Sequence, residues 1–224
     1  MTWDLEYWSS EEWYRAQEKL DDLERRGVVL CPVRRNLSAA IDELPLSSVR
    51  VAIFGQDPYP NPDYATGIAF SIPTESRTFP PTLCNIYNEY VRDLRYPFPT
   101  TGCLSRWVEQ GVLLWNVTPI YYRTVPPGLN NWAEWQPINK EIVTLLSDQN
   151  CIFWFMGARA RAYAKYVDLA KMNYVIETSH PSPLGQHHGS PRKEENAEFH
   201  PFFGCRAFST INSKLSEPID WRLP

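Results

Sequence analysis

The chain has 224 residues, five cysteines and a formal net charge of −4, which fits one soluble domain able to bury a core without disulfides or metals. The negative charge excludes a generic nucleic-acid binder held by bulk positive charge, although residues 151–224 carry nine Lys and Arg against seven Asp and Glu. No apolar run approaches the ~18 residues of a membrane span and the acidic start is unlike a signal peptide, so a cytoplasmic protein is expected.

The cysteines are scattered along the chain, with an odd total and no CxxC pair. This pattern favours neither a disulfide framework nor a zinc or iron-sulfur site, and it fits a reducing compartment. No metal or other cofactor is expected.

The first part of the chain predicts helices that lead into a buried strand. The segment SSEE at residues 9–12 has the form of a capping box, and apolar residues follow at helical spacing up to Gly27. Residues 1–27 are therefore expected to contain a helix that docks through one face. A short strand at 28–30, a second helix over 37–44 and a strand over 49–54 follow.

Apolar runs then alternate with helical patterns. The predicted elements are, in chain order, helix 82–94 after two prolines, helix 104–110, strand 111–116, helix 135–146, strand 151–156, helix 159–172 and strand 174–178. This alternation predicts an α/β fold, a central four-stranded parallel sheet with helices on both faces, within a single domain spanning 1–224. Residues 185–201 are polar and charged, and are predicted to form an extended surface loop.

Short polar loops follow the four predicted strands, at Gln56-Asp57, at Asn116, at Gly157 and, after the last strand, from His180 to Ser182. Parallel strands deliver such residues to the same edge of a sheet, where ligands bind. Taken singly, Asp57 is explained as a turn former, His180 as a structural histidine and Asn116 as a partner for loop backbone. Their joint occurrence favours a functional site.

Five short motifs carry a resemblance to a known family. The chain contains, in order, GQDPY after the strand VAIF, AFS eleven residues beyond Tyr59, GVLLWN, HPSPL and FFGCRAFSTIN. These segments are similar, in the same order, to the motifs of the family 1 uracil-DNA glycosylases. The resemblance spans roughly residues 28–221. Mismatch-specific and single-strand-selective relatives carry Asn in place of Asp57, and iron-sulfur relatives need a cysteine set that is absent here.

The resemblance implies a monofunctional hydrolase that removes flipped-out uracil from single- and double-stranded DNA, leaves an abasic site and so initiates base-excision repair. Asp57 would stabilise the oxocarbenium-like sugar and orient or deprotonate the attacking water. His180, in its neutral form, would donate a hydrogen bond to uracil O2 as the base becomes an anion.

Base recognition is implied for four further residues. Asn116 would pair with uracil N3–H and O4, and Phe70 would stack on the base. Tyr59 would exclude the C5 methyl group of thymine by steric clash, and Gln56 belongs to the same substrate-binding set. Core packing is the alternative explanation for Phe70 and Tyr59.

The family likeness also implies a set of DNA contacts. Thr82, the Gly157-Ala158 turn and Ser182 would bind phosphates through hydroxyl and backbone N–H groups. Leu184 would fill the space that the base vacates, and otherwise it is an exposed loop leucine. Local donors of this kind would let an acidic, monomeric protein bind DNA.

Three positions depart from the family pattern. Pro60 stands where a His is typical, so the hydrogen bonds of that His near the water and phosphate are lost. Ala158 replaces a usual Ser, which removes a hydroxyl but no backbone donor. The loop after Leu184 is longer than usual and either contacts phosphates or is solvated; it predicts weakened binding of the DNA-mimicking inhibitor protein.

Two other functions stay open at this point. One is a non-catalytic or weakly catalytic DNA-binding or replication scaffold of the same fold. The other is a glycosylase with a shifted base preference, because of Pro60 and the long loop.

Overall fold

The computed structural model describes residue 3 and residues 5–123, 132–185 and 199–224. Within these residues the strands are β1 (Leu30–Cys31), β2 (Val51–Gly55), β3 (Val112–Asn116), β4 (Tyr121–Tyr122), β5 (Ile152–Met156), β6 (Tyr174–Thr178) and β7 (Phe199–His200). The α-helices are α1 (Glu11–Arg25), α2 (Ala39–Asp42), α3 (Pro81–Leu94), α4 (Ser105–Val108), α5 (Gln136–Ser147), α6 (Ala158–Arg161) and α7 (Ala207–Lys214).

The central sheet is parallel and has the strand order β3-β2-β5-β6-β7. The four predicted strands are confirmed, and β2, β3 and β5 are buried along their whole length, as expected for strands covered on both faces. The fifth strand, β7, extends the sheet beyond β6. The predicted loop 185–201 is therefore wrong at residues 199–200, while its residues 186–198 lie outside the described part of the chain.

Helices cover both faces of this sheet. Phe54 is the register partner of both Trp115 and Phe155, so these three side chains share one face. The Trp115 indole bonds to Asn139 of α5, which places α5 on that face. The Trp154 ring points to the other face and packs edge-on against Phe208 of α7 at 5.3 Å between centroids. The result is the predicted three-layer arrangement.

The predicted helix 159–172 is wrong over most of its length. The α-helix α6 ends at Arg161, and a single 3-10 turn follows at Ala164–Tyr166. The Asn173 amide donates to the Asp168 carbonyl, and the Asp168 carboxylate accepts the N–H of Ala170. These side-chain bonds take backbone groups that a continuing helix would need.

Two smaller differences concern the first helices. The N-cap of α1 is Ser10, whose Oγ accepts the Trp13 N–H at 3.2 Å, so the cap lies one residue later than the capping-box pattern indicates. The predicted helix 37–44 is reduced to the single turn of α2. None of the helices in the described part of the chain is long and apolar enough to cross a membrane.

Candidate active site

A cavity of about 320 Å³ opens at the carboxyl end of the central sheet. The sequence-predicted residues that line it are Gln56, Asp57, Tyr59, Phe70, Thr82, Asn116, His180 and Ser182. Three others lie outside the lining: Gly157 lies under the imidazole of His180, whereas Ala158 and Leu184 are exposed. Residues separated by more than a hundred positions in the chain thus meet in one place.

Asp57 reaches the cavity because β2 ends at Gly55 and the chain then turns. The carbonyl of Gln56 accepts the N–H of Thr118 at 2.9 Å, which anchors the turn to the segment after β3. The Gln56 side chain donates from Nε2 to Asp57 Oδ2 at 3.1 Å. The carboxylate therefore enters the cavity from an anchored loop, with one of its oxygens already held.

Gly55 allows an aromatic ring and an amide to meet at the end of β2. A β-carbon at this position would lie 2.6 Å from Asn116 Oδ1 and 2.7 Å from Phe70 Cζ, distances that real β-carbons do not show. Sequence reasoning did not single out Gly55 for this role. Its place as register partner of Asn116 in the parallel sheet is the signal that identifies it.

The Asn116 side chain is poised for a ligand. Its Oδ1 is buried and accepts no hydrogen bond from any residue that the structure describes. A buried acceptor left unpaired costs about 1–3 kcal/mol, and such groups in native proteins call for an explanation. An N–H donor on a ligand in the cavity would be a suitable partner.

Phe70 has a backbone conformation that a non-glycine residue seldom adopts, with φ of +66°. The Tyr59 hydroxyl donates to the Phe70 carbonyl at 2.9 Å, which holds the two aromatic residues together. Burial raises the pKa of the Tyr59 hydroxyl, so it stays a donor at neutral pH. Backbone strain of this kind clusters at functional sites.

His180 is held as a neutral imidazole. Its Nδ1 accepts the backbone N–H of Ser182 at 3.1 Å, which assigns the ring proton to Nε2. Burial lowers the pKa of His180, and the nearby Asp57 carboxylate opposes that shift. The side chain therefore presents a neutral N–H donor.

The loop that carries His180 has an anchor that sequence reasoning missed. The Asn85 side chain on α3 donates from Nδ2 to the Pro181 carbonyl at 2.7 Å. Asn85 lies three residues after Thr82, and residues at this spacing share a helix face. That spacing, read together with the position of Thr82, is the signal that points to Asn85.

Within the described residues there is no group of three or more His, Cys, Asp or Glu side chains arranged to hold a metal ion. The polar groups of the cavity are instead a carboxylate, an imidazole, carboxamides and hydroxyls. A cavity with such convergent polar groups, at the carboxyl edge of an α/β sheet, belongs to the class of ligand-binding sites that orient a polar small group by hydrogen bonds.

Comparisons with known proteins give the family. The profile of the uracil DNA glycosylase superfamily matches residues 41–204. Among relatives, the uracil-DNA glycosylase of Thermobifida fusca is 36% identical over 210 residues, covering 88% of this chain and 82% of the relative. The uracil-DNA glycosylase of Pseudomonas putida is 39% identical over 191 residues, covering 83% of this chain and 76% of the relative. The chain belongs to the uracil-DNA glycosylase superfamily.

Solved structures agree with this assignment. The crystal structure of mimivirus uracil-DNA glycosylase is similar with a TM-score of 0.83 at 27% identity, covering 96% of this chain and 83% of that chain. A variant of the mimivirus enzyme in complex with UGI is similar with a TM-score of 0.84 at 28% identity, covering 96% of this chain and 84% of that chain.

Proposed function

We propose that this uracil-DNA glycosylase hydrolyses the N-glycosidic bond of a flipped-out uracil in DNA through Asp57 and His180. The observation that carries the proposal is the convergence of Asp57, Asn116 and His180 on one cavity. The reaction leaves an abasic site, the starting point of base-excision repair.

The two catalytic groups suit the charges that develop when the bond breaks. Positive charge builds on the sugar, as in glycoside hydrolysis, and the Asp57 carboxylate stabilises it and orients the attacking water. Negative charge builds on the leaving base, and the neutral Nε2–H of His180 donates to uracil O2. A neutral donor stabilises this developing anion and keeps its own proton.

The cavity walls select uracil. The unpartnered Asn116 Oδ1 accepts N3–H of uracil and its NH₂ donates to O4, whereas cytosine offers the opposite pattern at both positions. Phe70 stacks on the base. Tyr59, tied to the Phe70 carbonyl, stands against C5 and excludes a methyl group.

DNA is held outside the cavity by local donors. Thr82 and Ser182 line the cavity, and in the Gly157-Ala158 turn the backbone N–H of Ala158, the first residue of α6, is the donor to phosphate, because the Gly157 N–H already donates to the Thr178 carbonyl. Leu184 is 86% exposed and free to enter the base stack. We infer a monomeric, single-domain enzyme working in the reducing cytoplasm, where its five free cysteines stay as thiols.

The residues proposed to contact DNA also bear on how a DNA-mimicking inhibitor would bind. In sequence, the loop after Leu184 is longer than is usual in the family, and it grows from the proposed wedge, where added residues would interfere with a DNA-mimicking inhibitor such as UGI. We propose weakened inhibition. The activity of this protein and of the Pseudomonas putida enzyme is titrated with UGI in parallel. Complete inhibition should require an excess of UGI over enzyme for this protein only. Inhibition of both enzymes at a one-to-one ratio contradicts the proposal.

A uracil-release assay tests the function. A single-stranded oligonucleotide with one uracil is incubated with the protein and cleaved by alkali at abasic sites, beside matched oligonucleotides with thymine, cytosine or 5-hydroxymethyluracil. Cleavage confined to the uracil strand is expected. Binding without cleavage would identify a scaffold, and preferred release of another base would identify a shifted specificity.

A further inference from the structure

We propose that Asn139 is a positioning residue that orients Asn116 for base recognition, an inference that rests on the proposed function. Asn139 lies on α5, is fully buried and does not line the cavity. Its influence on the base passes entirely through the chain that carries Asn116.

One carboxamide holds the chain on both sides of Asn116. The Oδ1 of Asn139 accepts the indole N–H of Trp115 at 2.7 Å. Its Nδ2 donates to the Val117 carbonyl, also at 2.7 Å. Trp115 and Val117 are the immediate neighbours of Asn116, so Asn139 fixes the residue before it and the residue after it.

The sheet supplies the opposing anchor. The N–H of Val117 donates to the Gly55 carbonyl at 3.1 Å, so Val117 is held through its N–H by β2 and through its carbonyl by α5. The Asn116 Oδ1 has no hydrogen bond of its own within the described residues. Its direction therefore depends on its backbone, and preorganised direction is what makes a recognition amide effective.

The remaining hydrogen of the Asn139 amide is also used. Nδ2 donates to the Tyr163 hydroxyl at 3.1 Å, in the segment that follows α6. The buried amide thus satisfies one acceptor role and two donor roles, and its loss leaves several buried partners unpaired. A loss of stability alone would not separate positioning from structural support, so the test needs a matched control.

Asn212 on α7 provides that control. Its Oδ1 accepts the indole N–H of Trp221 at 3.1 Å, and its Nδ2 donates to the Ile219 carbonyl at 2.9 Å. Like Asn139, this amide holds an indole N–H and a backbone carbonyl; its Oδ1 also accepts the Ile219 N–H at 2.9 Å. Neither partner lines the cavity, so this amide supports structure without reaching the site.

The experiment is a double-mutant cycle on the full chain. Uracil release is measured under single-turnover and steady-state conditions for wild type, Asn139→Ala, Asn116→Ala and the double variant, beside Asn212→Ala. Urea denaturation reports stability for each. Asn139→Ser, which keeps a hydroxyl at the buried position, is carried in parallel so that a folded variant is in hand if alanine is not tolerated.

Asn139→Ala is expected to lower kcat/KM for release of uracil by about 10- to 100-fold. A displacement of a substrate-positioning group by about 1 Å can cost a factor of this size. In the Asn116→Ala background the same change should lower it by no more than about twofold, because the group it positions is gone. Asn139→Ser should fall between wild type and alanine. Asn212→Ala should lose stability and keep its kcat/KM.

Equal losses in both backgrounds, or an equal loss for Asn212→Ala, would overturn the positioning role and leave the proposed function standing. If Asn116→Ala itself releases uracil at the wild-type rate, the proposed base recognition fails and the positioning role fails with it.

Discussion

Gly157 lies directly beneath His180. A β-carbon on Gly157 would come within 3.0 Å of His180 Cβ and 3.2 Å of its Cδ2, closer than nearly all real contacts of this kind. The N–H of Gly157 donates to the Thr178 carbonyl at 2.8 Å, which locks the end of β5 to the end of β6. β5 lies between β2 and β6, so a residue without a side chain at this point lets the imidazole lie over β5 toward Asp57.

Gly157→Ala should therefore lower activity beyond its effect on folding. The backbone φ of +88° already disfavours alanine by about 1–3 kcal/mol, and the added methyl also displaces His180. We expect kcat to fall at least ~10-fold, since misplaced catalytic groups cost that much readily. Single-turnover uracil release at saturating enzyme measures it.

Gly204→Ala is the matched control, because Gly204 has φ of +86° and its nearest contact for a β-carbon is at 3.6 Å, on the flexible Arg92 side chain. It should lose stability without losing activity. Equal activity in the two variants would mean that the contact with His180 is unimportant.

Asp57→Asn should abolish most of the activity while the protein stays folded. The carboxamide keeps the shape of the side chain but carries no charge to balance the sugar cation and is no base for water. We expect a loss of several orders of magnitude, more than ~3 kcal/mol of transition-state stabilisation. Uracil release from a single-stranded oligonucleotide, with wild type side by side, gives the ratio; a loss under tenfold would remove Asp57 from the proposed chemistry.

The pH dependence of stability should carry a signature of His180. Burial lowers its native-state pKa below the ordinary value of 6.5, so the unfolded chain takes up a proton at a higher pH than the native protein does. Between those two pH values the unfolded state binds more protons, and stability falls as pH falls. The stability that comes from keeping His180 neutral is therefore fully present above pH 6.5, the ordinary histidine pKa. It is lost as the pH drops toward the lower pKa of His180 in the native protein.

Urea denaturation of wild type and His180→Gln from pH 7.5 to 5.5 tests this. The wild type should lose more stability over the range than the variant, and its uracil release should hold down to the ordinary histidine pKa and decline only below it. Parallel stability curves for the two proteins would show that burial does not hold the imidazole neutral.

Leu184→Ala should impair work on double-stranded DNA and leave folding untouched. The side chain is 86% exposed, so its truncation is expected to change stability by less than ~0.5 kcal/mol. A leucine that fills the vacated stack matters most where a partner strand is present, so the loss should be larger on duplex than on single-stranded substrate. Met172→Ala truncates a side chain that is also 86% exposed, and it should change neither the activity on duplex DNA nor the activity on single-stranded DNA. Equal losses on both substrates would refute the wedge role.

The amino-acid sequence alone determined four of the five strands of the central sheet and the polar residues that follow them. Alternation of apolar runs with amphipathic segments is a local property, and parallel pairing brings the strand ends to one edge whatever the contacts between layers. That is why the positions of Asp57, Asn116 and His180 in the motifs were sufficient to predict a shared site, and why β2, β3, β5 and β6 match their predicted positions.

Only the tertiary structure decided how those residues are aimed. The direction of Asn116 depends on Asn139 of α5, and the placement of His180 depends on the bare backbone of Gly157. Each is a contact between elements that are remote in the chain or separated by another strand. Local propensity carries no information about such contacts, because they exist only once the layers have packed together.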